Sequence, residues 1–152
     1  MVETIKKAWS VQDSVKRLIS DLADSDAGMR LRSAWALGQI GKHAANAIPA
    51  LLQAMSDEHA NVREAALTAL GQIHEHPQHC VSAIAVLLQD KDWRVRARAA
   101  EVLGDLGEYA EGATPELERL TKDPDRSVRM AAQGALQRLE AFKGQKSLAI
   151  SC

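Results

Sequence analysis

Apolar residues recur along this chain with a period of 33 residues. Met29, Val62, Val95 and Val128 are equivalent, as are Leu37, Leu70, Leu103 and Leu136, and Ile40, Ile73, Leu106 and Leu139. Between them Ser33, Ala66, Ala99 and Ala132 are all small. Within one repeat these positions fall on one face of an α-helix. A second set of markers, Leu18, Leu51, Ile84 and Leu117, then Leu22, Met55 and Leu88, predicts another helix ahead of it. Pro49 and Pro115 sit where a first-turn proline is tolerated, and Pro77 sits near the start of a further first helix. Asp26, Asp92 and Asp125 stand three residues before Met29, Val95 and Val128, as N-caps of the second helices, with His59 the exception.

Each repeat thus reads as helix–turn–helix. One such pair cannot bury both of its faces, whereas stacked pairs can. The expected fold is all-α: a right-handed α-solenoid of four repeats, at about 12–42, 43–75, 76–108 and 109–142, in a single domain over 1–142. Residues 3–12 are expected to add a short N-terminal capping helix, and 143–152 to form a frayed, flexible tail. Gly38, Gly71 and Gly104 correspond to Gln137, which suits a last repeat with no neighbour beyond it.

Composition fits this reading. The chain is 46% hydrophobic but only 3% aromatic, and its 26 alanines fill the gap. Small residues on the packing face let helices approach closely. A net charge of −1 with 26% charged residues argues against both a disordered chain and a basic nucleic-acid binder. The N-terminus, from Met1 to Lys7, has no apolar signal-peptide core, and no run of 18 apolar residues predicts a membrane span. Cys80 and Cys152 do not form a disulfide framework, so a reducing cytoplasm is the expected compartment.

The repeat signature, as in Val62-Arg63 with Leu70-Gly71 and Val95-Arg96 with Ala99-Ala100 and Leu103-Gly104, resembles the short HEAT repeats of phycobilisome-lyase-like proteins over about residues 15–140. The resemblance implies HEAT-type helix pairs. It also implies a choice of roles: interaction scaffold, bilin- or phycobiliprotein-handling factor, or iron-dependent deoxyhypusine hydroxylase. The hydroxylase it suggests carries His-Glu pairs just after the repeat arginine. Here those places hold Leu31-Arg32, Glu64-Ala65, Ala97-Arg98 and Met130-Ala131, and the one His-Glu pair, His74-Glu75, lies elsewhere.

Four features could carry chemistry. Asp24, Asp57, Asp90 and Asp123 recur with Arg30, Arg63, Arg96 and Arg129, and recurrence in every repeat favours a structural role over an anion-binding ladder. His74, His76, His79 and Cys80, with His43 one repeat before His76, are residue types that bind zinc, but their spacing matches no standard motif. Trp93 with Arg94, Arg96 and Arg98 is a local basic patch, offset by Asp90, Asp92 and Glu101. The fourth feature is the outward stripe of the second helices, the concave surface in solenoids of this kind. There Trp35 stands where other repeats have Thr68, Glu101 and Gly134. A large apolar residue on a polar face is a binding anchor, or else packs under Trp9 and residues 3–12.

No catalytic motif is present, so the expected function is non-enzymatic: a protein-interaction module without cofactor or metal. The expected partner-binding residues are Leu31, Arg32, Trp35, Glu64, Thr68, Gln72, Arg98, Glu101 and Asp105. The expected partner is a protein, with no membrane and no nucleic acid. An open solenoid end could also pair with a second copy as a homodimer.

Overall fold

The structure, a computed structural model, describes residues 10–75 and 77–150. These residues form α-helices α1 (Val11–Asp21), α2 (Ala27–Ile40), α3 (Ile48–Ala54), α4 (Ala60–Ile73), α5 (Pro77–Val86), α6 (Trp93–Asp105), α7 (Thr114–Leu120) and α8 (Arg126–Ile150). Tighter 3₁₀ turns run over Gly41–Ala47, Leu87–Gln89 and Gly107–Ala113. The chain divides into two compact units, Met1–Glu75 and His76–Cys152. Each unit contains two helix pairs, as the 33-residue period requires: α1–α2 and α3–α4 in the first, α5–α6 and α7–α8 in the second.

The second helices begin where the aspartates predict. The Asp26 carboxylate accepts from the Gly28 N–H at 2.8 Å, Asp92 from Arg94 at 2.9 Å and Asp125 from Ser127 at 2.8 Å. His59 makes no side-chain cap. Two residues upstream a second aspartate closes each turn. Asp24, Asp57, Asp90 and Asp123 accept from the N–H of Asp26, His59, Asp92 and Asp125 at 2.7–2.9 Å. The first helices α3 and α7 are only seven residues long, each with its proline in the first turn.

Small residues decide how closely the second helices approach. In the first unit α2 packs on α4, and a Cβ on Gly38 would lie 3.0 Å from the Ala69 Cα. In the second unit α6 packs on α8, and a Cβ on Gly104 would lie 2.7 Å from the Ala135 Cα. Ser33, Ala66, Ala99 and Ala132 are all buried. Around them Val15, Leu37, Leu51, Leu67 and Ile73 fill the first core, and Ile84, Val95, Leu103, Leu117 and Val128 the second.

The capping helix over 3–12 falls mostly on residues 1–9, outside the described residues; Val11 and Gln12 belong to α1, which Ser10 and Asp13 start with a reciprocal capping box. At the other end residues 143–150, expected as a tail, continue α8. Gly41, His74 and Gly107 take positive φ at equivalent positions and end their helices. Glu140 holds that place in the last repeat, and the helix runs on through it. The Phe142 ring then packs against Gly107, whose missing side chain makes the room. Lys143 pairs with Glu111 at 3.2 Å and Lys146 pairs with Glu108.

Candidate partner-binding face

The recurrent Asp/Arg set is framework. Arg30 donates to both Asp57 oxygens at 2.6 and 3.1 Å, and Arg96 donates to both Asp123 oxygens at 2.9 and 3.0 Å. A further nitrogen of each arginine ties down its own turn. Arg30 Nη1 reaches the Asp24 carbonyl at 2.7 Å, Arg63 the Asp57 carbonyl at 2.9 Å, Arg96 the Asp90 carbonyl and Arg129 the Asp123 carbonyl, both at 2.8 Å. Burial works to raise the Asp57 and Asp123 carboxyls. The facing guanidinium and the N–H two residues on outweigh it and hold both below the usual carboxylate range. These charges are committed to one another and leave no open anion ladder at Arg30 or Arg96.

The outward stripe differs between the two units. In the first, Leu31 is half-buried, Arg32 is exposed and Trp35 is 61% exposed, all on α2. From α4 come half-buried Glu64 and Thr68 and exposed Gln72. The Thr68 hydroxyl donates back to the Glu64 carbonyl at 3.0 Å. The Gln72 amide lies across Gly38, one turn beyond Trp35, so α2 and α4 both contribute to one surface.

In the second unit the stripe carries ion pairs. Arg98 pairs with Glu101 at 2.6 Å, and Arg138 reaches the Asp105 carboxylate and the Glu101 carbonyl, each at 3.3 Å. Arg138 falls on the stripe by spacing but is not among the nine expected residues. It equals Gln72 two repeats later, and its guanidinium lies across Gly104 as the Gln72 amide lies across Gly38. Met130, at the Leu31 position of the last repeat, is 59% exposed. Its apolar character was visible in the sequence, whereas its exposure depends on packing.

Arg94 pairs with Asp92 at 2.8 Å, and Arg96 and Arg98 pair as above, so the cations beside exposed Trp93 are each neutralised. Cys80 is buried on α5, and burial pushes its thiol up, away from the reactive thiolate. Among the described residues no three His, Cys, Asp or Glu side chains converge to hold a metal ion. His76 lies outside them. None of the described helices, α8 included, is long and apolar enough to cross a membrane.

The family of HEAT repeats matches residues 15–81 and 48–137. The chain belongs to the HEAT-repeat family. No curated protein matches its sequence. Among solved structures, this HEAT-repeat chain is similar to a designed armadillo repeat protein in complex with the peptide (KR)4, with a TM-score of 0.72 and 22% identity over 90% of this chain and 68% of that one. It is also similar to the complex of CpcE and CpcF of phycocyanin lyase from Nostoc sp. PCC7120, with a TM-score of 0.61 and 22% identity over 82% of this chain and 64% of that one. Human deoxyhypusine hydroxylase in complex with glycerol gives 0.65 and 28% over 84% of this chain and 43% of that one. The chain therefore spans less than two thirds of the last two. What these likenesses share is the fold of paired helices, and a fold of this kind does not fix a function.

Proposed function

We propose that this HEAT-repeat chain is a non-enzymatic protein-interaction module whose docking anchor is Trp35. The observation that supports it is the 61% exposure of an indole on a helix face where the equivalent residues are Thr68, Glu101 and Gly134. Neither the helix-helix contact at Gly38 nor the Arg30–Asp57 pair uses Trp35, so the framework does not account for it. A rigid α2–α4 surface costs little ordering on binding. A buried indole then supplies a large contact area at one point, the usual anatomy of an interface hot spot. Arg32, Leu31 and Gln72 surround that point, with Glu64 and Thr68 alongside. The bilin-handling alternative rests on likeness to the lyase complex, which at 22% identity concerns the fold alone.

The test compares the full chain with Trp35→Ala as baits in affinity capture from the source cell, with a melting curve for each. The expected outcome is loss of captured partner with little change in melting temperature. A large fall in melting temperature with capture intact would show that Trp35 is a stability element covered by the N-terminal residues.

A further inference from the structure

We infer that the Trp35 face takes a partner segment that places an acidic side chain beside an apolar one; this rests on the reading of Trp35 as the anchor. Two repeats apart, the same four stripe positions hold different chemistry. In the second unit they are Arg98, Glu101, Asp105 and Arg138, which form the Arg98–Glu101 and Arg138–Asp105 ion pairs. In the first unit they are Arg32, Trp35, Gln39 and Gln72. The exchange removes both carboxylates and one cation, and it keeps Arg32.

Arg32 is exposed, and among the described residues no carboxylate lies within ion-pair distance of it. The Asp26 carboxylate, which caps the Gly28 N–H, lies with Arg32 Nη1 beside Gly28 but makes no ion pair with it. Glu64, the one carboxylate of the α4 part of the stripe, is half-buried and has a polar interaction of its own. Arg32 and Trp35 stand three residues apart on one helix face, so they are neighbours. A guanidinium presents a planar fork that fits a carboxylate with two parallel hydrogen bonds. Beside it the indole offers apolar area, and the exposed amides of Gln39 and Gln72 can serve the backbone of a bound segment. A basic segment would meet Arg32 with like charge and find none of the carboxylates that the second unit has at these positions.

The experiment pans a displayed library of random dodecapeptides on the full chain, on Arg32→Glu and on Trp35→Thr. Selected peptides are then synthesised and titrated at low and high salt. The inference expects Asp or Glu enriched next to Leu, Phe or Trp. It expects about ten-fold or greater weakening by Arg32→Gln, the scale of one lost charge-assisted bidentate contact, against no change for Lys122→Gln. Arg32→Glu should turn the selection toward Lys and Arg. Trp35-dependent binders with no acidic preference, or indifference to Arg32→Glu, would overturn the inference and leave the docking face standing. Binders indifferent to Trp35→Thr, or none at all, would remove the docking reading itself.

Discussion

The two units of this chain share one framework and differ on one stripe. Arg30–Asp57 in the first unit matches Arg96–Asp123 in the second, and Gly38 against Ala69 matches Gly104 against Ala135. On the outward face the second unit carries the Arg98–Glu101 and Arg138–Asp105 ion pairs, while the first exposes Trp35 three residues from Arg32. In a repeat protein the framework must recur, because each pair buries its neighbour by the same contacts. A residue that departs from the repeat is free of that requirement, so the departure at Trp35 is the informative one.

The shared framework carries the largest expected effects. Asp123 is 8% exposed, accepts from Arg96 and closes its own turn. Asp123→Ala leaves the Arg96 guanidinium half-buried and unmatched, and should cost roughly 3 kcal/mol or more in urea unfolding. Gly104→Ala forces a methyl against the Ala135 backbone and should cost about 2 kcal/mol. Gly38→Ala should cost less, since the approach to Ala69 is wider by a few tenths of an ångström and the Gln72 side chain can move aside.

Acid should loosen both units together. The Asp57 and Asp123 carboxyls sit below their ordinary values in the folded chain. A depressed carboxyl adds stability above its unfolded value, near pH 4, and that stability is lost as pH falls through the folded value. Melting temperature should therefore hold from neutral pH to about 4 and drop below it. A flat profile into stronger acid would mean that the pairs contribute little.

The smallest effect on stability, and the sharpest on function, should come from moving the stripe of one unit into the other. Trp35→Glu puts a carboxylate three residues from Arg32, the spacing at which Arg98 and Glu101 pair. Stability should change by no more than about 0.5 kcal/mol, while partner capture should disappear. A loss of several times that stability would mean that Trp35 belongs to the core.

The sequence went far with the fold. Its period placed the second helices, their Asp26, Asp92 and Asp125 caps and the glycines at their contacts. The end of α8 was harder to read. Residues 143–152 read as a tail, whereas the helix runs through Glu140 and Glu108 and Glu111 pair with Lys146 and Lys143. The site was legible only in part. Spacing put Trp35 and Arg98 on equivalent stripes, yet nothing in the spacing said that Arg98 is neutralised and Arg32 is not.

By itself, then, the sequence determined the helix pairs, their caps and their close contacts, because these follow from the spacing of small and apolar residues along single helices. Which stripe charges find ion-pair partners depends on how the helices pack. Long side chains such as Arg138 and Gln72 reach across to the neighbouring helix, and what they meet there depends on where that helix lies.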